Sequence, residues 1–275
     1  DTWAVLRNSI SSAAMARLSG GRRVVGYSYP LRRYLLTEAL QPPRQNGKLV
    51  PISAVDYYLR IAEHLGCTSN SRELQLATLP HDEGLVDHIW RHHRLPEGKF
   101  TIGLNVGGAY GSAKRWPIEH ATELARRLAH EQGLGVLILC GPKERDAARE
   151  MVSAAQHPLV RSLADEPISI GLIKAAVRRL RLLVTTDSGP RHLAAGLGTP
   201  TITLFGSTDP VWGENYQAQA TKLRLDMDCS PCGKRTCPLG HHRCMQDLSV
   251  DHVMHAIRDQ LATSSRPQLP QVRVA

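Results

Sequence analysis

The stretch FTIGLNVGGAYGSAKRWP, Phe100–Pro117, contains the features that decide the fold. It begins with Phe100–Leu104, a short apolar segment that predicts a β-strand. A glycine-rich loop follows and ends in Lys114 and Arg115, and Pro117 then opens a helix whose apolar residues repeat at helical spacing as far as Leu128. A strand, a glycine-rich loop and a helix in this order predict the start of a βαβ unit.

The same alternation continues along the following hundred or so residues. Apolar runs predict strands at 135–139, 182–185 and 201–205, and periodic segments predict helices at 144–155, 169–177 and 190–197. Strands that are joined by helices of this length form right-handed crossovers, so the predicted fold class is α/β with a doubly wound parallel sheet. We assign residues 99–263 to this domain and residues 264–275 to a tail.

Residues 1–98 show a weaker version of this pattern and are assigned to a separate domain. A strand is predicted at 1–6, a helix at 9–18, a strand at 24–27, and helices at 53–64 and 82–92, with a linker at 95–98. The opening strand has no structure before it, so we expect this first domain to be incomplete at its N-terminus.

Composition limits the classes of function. Apolar residues make up 42% of the 275 residues and charged residues 21%, which excludes a disordered chain. The sequence has 34 Lys and Arg against 25 Asp and Glu, a net charge of +9. Such an excess favours anionic partners, among them nucleotides, phosphorylated glycolipids, acidic membrane surfaces and nucleic acid. No apolar run approaches the roughly 18 residues of a membrane span.

Three loops follow predicted strands, where ligands bind in sheets of this class. The loop before Pro117 is not a Walker A loop, because Ala113-Lys114-Arg115 replaces its Gly-Lys-Ser/Thr. In the loop at 185–192, Ser188 is predicted to cap the next helix, and Asp187 suits a sugar hydroxyl better than a phosphate. A third loop at 205–210 supplies hydroxyls and a carboxylate.

Taken together, the motifs GAYGSAKRWP at 108–117, TDSGPRHLAA at 186–195 and LFGSTDP at 204–210 resemble glycosyltransferase family 9, the ADP-heptose:lipopolysaccharide heptosyltransferases. The resemblance implies a GT-B architecture of two Rossmann-like domains. It implies inverting transfer of a heptose from ADP-heptose to the lipopolysaccharide inner core, without a catalytic metal. It also implies a cytoplasmic location with peripheral contact to the inner face of the inner membrane.

The resemblance also implies a set of donor-binding residues. They are Gly108, Ala109, Lys114, Arg115, Glu144, Asp187, Ser188, Gly189 and His192. Lys114 matches the position that contacts the donor phosphates, and Glu144 is assigned to the ribose. The family's usual proline before Gly108 is Gly107 here. The general base of the family is expected upstream of Asp1, so we expect the 275-residue chain to bind donor without turning it over.

Four cysteines lie close together in the sequence. Cys229, Cys232, Cys237 and Cys244 have the spacing C-x2-C-x4-C-x6-C, with His241 and His242 between them. This spacing is compatible with one structural zinc ion, with disulfides, or with free thiols. A metal site here would be structural, because the donor loops lie elsewhere in the sequence. The other two cysteines, Cys67 and Cys140, are expected to be buried as small apolar side chains.

Two other classes of function remain open from the sequence. One is a nucleotide-sugar-binding protein without catalysis. The other is a zinc-stabilised nucleic-acid-binding module. Scattered Lys and Arg residues and an aromatic content of 5% argue against the second, since base stacking requires aromatic side chains, and we expect no nucleic-acid partner.

Overall fold

Six parallel strands form the larger sheet of the protein. The structure is a computed structural model that describes residues 1–68, 71–96, 100–107 and 111–263. The strands are β6 (Thr101–Asn105), β7 (Gly135–Ile138), β8 (Val160–Ser162), β9 (Leu182–Thr186), β10 (Thr201–Phe205) and β11 (Ala220–Arg224). Their order in the sheet is β11-β10-β9-β6-β7-β8, and every neighbouring pair is parallel. Counted within this unit, the order is 3-2-1-4-5-6, that of a Rossmann fold.

Helices cover both faces of this sheet. They are α3 (Pro80–His92), α4 (Ile118–Gln132), α5 (Arg145–Ala155), α6 (Ile170–Arg179), α7 (Gly189–Leu197), α8 (Arg243–Gln246) and α9 (Val250–Thr263). One apolar core holds the inner faces of α4, α5 and α9, and a second holds those of α3, α6 and α7. The four inner strands β6, β7, β9 and β10 are buried along their whole length and therefore consist largely of apolar residues. The predicted doubly wound α/β fold is confirmed.

The strand order reverses between β6 and β9. The chain runs from β6 towards β7 and β8, and from β9 towards β10 and β11 on the other side. Loops that follow two such strands leave the sheet in opposite directions, and the crevice between them is where ligands bind. The loops after β6 and β9 are the first two of the three that the sequence analysis selected.

The chain divides into two compact units, of which the first comprises residues 1–72 with 211–215. Its parallel sheet has the order β1-β2-β3, with β1 (Thr2–Val5), β2 (Arg23–Tyr27) and β3 (Glu38–Leu40). Two helices, α1 (Ile10–Leu18) and α2 (Ala54–His64), and a hairpin of β4 (Arg44–Gln45) and β5 (Lys48–Leu49) complete it. Ser9 and Ser53 cap the two helices through side-chain hydrogen bonds.

Arg32 is fully buried in the first unit. Its guanidinium donates to the carbonyl oxygens of Val5, Arg7, Ser9 and Tyr27, which satisfies the ends of β1 and β2. A side chain at Gly26 would place its Cβ 2.8 Å from Arg32 Nη2, so glycine leaves the room that the arginine occupies.

The units differ from the expected division of the chain. The sequence analysis places residues 80–92 in the first domain, whereas α3 packs in the second unit, where Val86, Ile89 and Trp90 are buried against α6. Ion pairs Glu83–Arg178 and Asp87–Arg179 join the same two helices. The unit boundary lies at Arg72 rather than near the expected linker, of which residues 97–98 lie outside the described part of the chain.

No helix in the part of the chain that the structure describes is both long enough and apolar enough to cross a bilayer.

Candidate functional site

Lys114 and Asp187 form an ion pair at the crevice between β6 and β9. Lys114 Nζ donates to Asp187 Oδ2 at 2.8 Å and to the Asp187 carbonyl oxygen at 2.9 Å. The two side chains are only 10% and 13% exposed. Residues 73 positions apart in the sequence are thus joined where the strand order reverses.

The local structure holds Lys114 in this position. A short 3-10 helix, Ser112–Lys114, turns the chain so that Ala113 and Lys114 are both buried. Trp116 follows and is 1% exposed, and its indole N–H donates to the Leu248 carbonyl oxygen at 2.9 Å. This buried anchor limits the movement of the chain that carries Lys114, because displacing it would expose a large ring and break a buried hydrogen bond.

Two further side chains complete the surroundings of Asp187. Arg191 Nη1 donates to Asp187 Oδ1 at 2.8 Å, and Thr208 Oγ1 donates to Asp187 Oδ2 at 2.8 Å. The Arg191 guanidinium is 2% exposed and lies 5.0 Å from the centre of the Phe205 ring. Thr208 belongs to the loop after β10, so all three selected loops meet at one carboxylate.

Around Asp187 the positive side chains described above outnumber the negative ones. Burial by itself would raise the pKa of Asp187, but hydrogen bonds from Lys114 and Thr208, together with the two cations, lower it below its usual value. Asp187 is therefore ionised at neutral pH and is a weak base. Two cations, Lys114 and Arg191, face this one carboxylate in a site of little exposure, so an anionic ligand would complement it.

His192 lies next to this cluster in α7. Burial lowers its pKa, and the nearby positive charges of Arg191 and Lys114 lower it further, against a smaller opposite effect of Asp187. The imidazole is therefore neutral at physiological pH.

Ser188 occupies the N-cap position of α7, as predicted, but its hydroxyl makes no cap hydrogen bond. The hydroxyl instead donates to Asn105 Oδ1 at 3.1 Å, with the Thr186 carbonyl oxygen as an alternative acceptor at 3.3 Å. Asn105, at the end of β6, also donates to the Leu139 carbonyl oxygen at 3.3 Å. Asn105 thus joins the loops after β6, β7 and β9, a role that the sequence analysis missed.

A cavity of about 440 Å³ lies beside this cluster in the second unit. Its walls include Gly107, Arg115, Lys143, Glu144, Met151 and His242. Glu144 Oε2 accepts a hydrogen bond from the Gly141 backbone N–H at 2.8 Å, which fixes the carboxylate at the rim of the loop after β7. A volume of this size suits a nucleoside.

Gly107 leaves the room that the Glu144 carboxylate occupies. A Cβ at this position would lie 2.0 Å from Glu144 Oε1, so any side chain there would displace the carboxylate. The family usually has a proline at this position. In this chain the position is Gly107, and the Glu144 carboxylate packs directly on the loop there.

The predicted donor residues that the structure describes separate into three groups. Lys114, Asp187, Ser188 and His192 lie together at the crevice, while Arg115 and Glu144 line the adjacent cavity. Gly189 is exposed at the start of α7. Gly108 and Ala109 lie outside the described residues.

The cysteine-rich loop, Cys229–Cys244, packs against two of these donor loops. The Arg235 carbonyl oxygen accepts a hydrogen bond from Ala113 N at 3.0 Å, and Gly233 N donates to the Ser207 carbonyl oxygen at 2.6 Å. Its distance in the sequence suggested separation from the site, and the structure corrects that expectation. Among the described residues, no three His, Cys, Asp or Glu side chains are already arranged to hold a metal ion.

Comparison with known proteins places these features in a family. Residues 1–243 match the model of glycosyltransferase family 9 (heptosyltransferase). Lipooligosaccharide heptosyltransferase 2 of Campylobacter jejuni is 34% identical over 174 residues, 62% of this chain and 54% of that protein. Lipopolysaccharide heptosyltransferase 2 of Escherichia coli K12 is 26% identical over 260 residues, 92% of this chain and 73% of that protein. The chain thus spans about half the length of the Campylobacter relative.

Solved structures agree with the fold. A family 9 glycosyl transferase from Veillonella parvula superposes with a TM-score of 0.78 at 25% identity, over 93% of this chain and 72% of that one. The E. coli ADP-heptose lipopolysaccharide heptosyltransferase II superposes with a TM-score of 0.75 at 23% identity, over 94% and 76%. With the three motif loops brought together at one crevice, the match establishes that this chain belongs to glycosyltransferase family 9, the heptosyltransferase family.

Proposed function

We propose that the second unit binds ADP-heptose and that the protein transfers its heptose to the lipopolysaccharide inner core. The observation that carries the proposal is the Lys114–Asp187–Arg191 cluster, placed beside a cavity of about 440 Å³ whose rim holds Glu144. A positively charged cluster next to a cavity that can hold a nucleoside suits a nucleoside diphosphate. The relatives are named as heptosyltransferases, which supports heptose as the sugar.

In this proposal each group has a separate part. The adenosine occupies the cavity, and the Glu144 carboxylate accepts hydrogen bonds from the ribose hydroxyls. The diphosphate lies at Lys114, whose ammonium provides charge-assisted hydrogen bonds. Among the described residues, Lys114, Thr208 and Arg191 donate to the Asp187 carboxylate, and these bonds leave about one of its four lone-pair positions for a hydroxyl of the donor sugar.

The electrostatics suit a leaving group that gains negative charge. Inverting displacement breaks the bond between the anomeric carbon and the diphosphate oxygen, so charge develops on ADP as it departs. Lys114 and Arg191 are held in place before the reaction and stabilise that charge without reorganisation. We propose that this occurs without a divalent metal. Asp187 is assigned to holding the donor, because its lowered pKa makes it a poor proton acceptor.

The acceptor places a further requirement on the protein. Lipopolysaccharide is anchored in a membrane, so the enzyme must reach a membrane surface to act on it. The net charge of +9 favours contact with anionic headgroups, and we propose peripheral contact with the inner membrane. Sedimentation with anionic and neutral vesicles tests this contact: equal recovery with both would contradict it.

Binding and transfer are tested separately. Calorimetry in EDTA with ADP-heptose, ADP, UDP and GDP tests the donor site. We expect the two adenine compounds to bind most tightly, and a requirement for Mg²⁺ would contradict metal-free binding.

Transfer is tested with the natural protein, ADP-heptose and heptose-deficient lipopolysaccharide. Mass spectrometry should detect one added heptose for each ADP released. ADP release without a heptosylated product would refute transfer.

A further inference from the structure

Helix α1 of the first unit buries its small side chains and exposes its large ones. Ala13 and Ala16 are at most 2% exposed, and Ala16 packs with Val24 of β2. Met15 and Leu18, by contrast, are 68% and 87% exposed. A surface helix normally turns its large apolar residues towards the core, so α1 has the reverse arrangement.

The outward side of α1 is apolar along the whole helix. With 3.6 residues per turn, Ile10, Ala14, Met15 and Leu18 lie on one side of the helix axis. None of these four residues is charged, and Ile10 is exposed like Met15 and Leu18. Exposed apolar side chains that lie together, rather than singly, indicate a surface that binds another molecule.

A second group of exposed apolar residues lies beside this helix. A 3-10 helix, Arg32–Leu35, packs against α1 in the same unit. Leu31, just before it, and Tyr34, within it, are both exposed. The Arg33 guanidinium lies 5.2 Å from the centre of the Tyr34 ring. We call these exposed apolar residues the α1 surface: Ile10, Met15, Leu18, Leu31 and Tyr34.

The charge of this part of the chain has one sign. Residues 2–37 contain six arginines and no acidic residue. Arg32 is buried, and Arg23 pairs with Glu38. In the sequence, Arg17 and Arg33 each stand between two residues of the α1 surface. The four exposed arginines are Arg7, Arg17, Arg22 and Arg33.

An apolar surface among arginines suits an anionic lipid bilayer. Apolar and aromatic side chains enter the boundary between headgroups and acyl chains, while the guanidinium groups meet the phosphates. A second copy of the chain is a poorer partner, because a symmetric contact would bring the arginines of both copies together. We propose that the α1 surface docks the protein on anionic phospholipid headgroups, with its apolar side chains inserted at the interface. This deepens the membrane contact proposed above and rests on it.

The two helices of the first unit cover opposite faces of its sheet. Val24 belongs to the apolar cluster under α1, and Val25 belongs to the cluster under α2. Successive side chains of a strand point to opposite faces, so a bilayer at the α1 surface leaves α2 in water. Cys67 follows α2, and its backbone N–H donates to the Ala62 carbonyl oxygen at 3.0 Å. Cys67 is exposed, contrary to the expectation that it is buried, and marks the face away from the bilayer.

The arginines are tested by sedimentation of the natural protein with vesicles of phosphatidylglycerol and phosphatidylethanolamine. Vesicles of phosphatidylcholine are the neutral control. Arg17→Gln combined with Arg33→Gln should weaken binding to the anionic vesicles about 25-fold, since each arginine near such a surface contributes about fivefold. The matched control, Arg91→Gln with Arg258→Gln, removes the same charge from exposed positions on α3 and α9 and should change binding little. Equal losses in the two double variants would overturn the proposal, because net charge alone would then explain binding.

Apolar insertion is tested with Leu18→Glu. The matched control is Ile170→Glu, since Ile170 is 75% exposed at the start of α6 and the change in charge is the same. Leu18→Glu should bind anionic vesicles at least about tenfold more weakly than the control, the loss expected when a leucine side chain is no longer buried. Equal binding would contradict insertion. Urea denaturation should show unchanged stability for Leu18→Glu, and a loss of stability would overturn the proposal by showing that protein covers this residue.

The side that meets the bilayer is tested by thiol labelling. Leu18→Cys in the natural protein is treated with a water-soluble maleimide, and labelling at each cysteine is measured by peptide mass spectrometry. Anionic vesicles should protect position 18 and leave Cys67 reactive. Slow labelling of position 18 without vesicles, or equal labelling of both positions with vesicles, would overturn the proposal.

Failure of this surface is distinguishable from failure of the proposed membrane contact. If the unaltered protein does not sediment with anionic vesicles, the membrane contact itself is refuted, and the α1 surface with it. If the unaltered protein sediments but each variant binds like its control, only the α1 surface is refuted. Transfer of heptose is measured separately and does not enter either outcome.

Discussion

Replacing Lys114 with alanine is the sharpest test of the diphosphate position. The ammonium makes two hydrogen bonds, to Asp187 Oδ2 at 2.8 Å and to the Asp187 carbonyl oxygen at 2.9 Å, and its side chain is 10% exposed. A charge-assisted contact of this kind contributes about 1.5–3 kcal/mol. Lys114→Ala should therefore weaken ADP binding about 10- to 150-fold.

The same substitution also affects stability. Breaking one partner of a buried pair costs about 3–5 kcal/mol, and we expect the lower end because Arg191 still pairs with Asp187. ADP affinity is measured by calorimetry in EDTA and folding by urea denaturation. Lys174→Ala is the matched control, since Lys174 lies on α6 and its ammonium makes an exposed hydrogen bond to the Ala77 carbonyl oxygen. Unchanged ADP affinity in a folded Lys114→Ala protein would refute the assignment.

Three further predictions concern the neighbouring residues. Glu144→Gln should weaken ADP binding by about 1.5 kcal/mol and reduce the preference for ADP over 2′-deoxy-ADP, and an unchanged preference in calorimetry would remove Glu144 from the ribose site. Gly107→Ala should also weaken ADP binding, because its Cβ would lie 2.0 Å from Glu144 Oε1, whereas Gly84→Ala, which meets nothing within 4 Å, should not. Burial lowers the pKa of His192, so the unfolded chain binds its proton at higher pH, and stability is complete above about pH 6.5 and falls as the pH drops through the folded pKa. His192→Gln should therefore reduce the loss of thermal stability between pH 7 and pH 5, and an unaltered pH profile would contradict this.

The second unit could be predicted from local pattern. Apolar runs separated by amphipathic segments predict a doubly wound sheet, and the rule that ligands bind at the carboxyl ends of strands points to the loops of Lys114 and Asp187. Both residues lie at the point where the strand order reverses. The fold prediction is confirmed because the features it used are close together along the chain, and the assignment of Lys114 and Asp187 to the donor site stays a prediction.

The features that the sequence analysis missed depend on contacts between residues far apart in the chain or belong to short strands. Arg191 and Asn105 matter through their contacts with Asp187 and Ser188, which periodicity does not reveal. Strand β11 is an edge strand with few apolar residues. The β4–β5 hairpin turns at Asn46-Gly47, both at positive φ, and the Asn-Gly pair was a signal that could have identified it.

The position of the boundary has a similar explanation. Helix α3 has the composition of any amphipathic helix, and only its contacts with α6 assign it to the second unit. The approach of the cysteine-rich loop to Ala113 joins residues more than a hundred positions apart. Neither could be read from a local pattern.

A crystal structure with ADP tests the central claim most directly. The account predicts a diphosphate oxygen within hydrogen-bonding distance of Lys114 Nζ, the ribose hydroxyls at the Glu144 carboxylate, and the adenine in the cavity of about 440 Å³. It also predicts that no metal ion bridges the phosphates. ADP bound away from the crevice between β6 and β9, or held there only through a divalent cation, would contradict it.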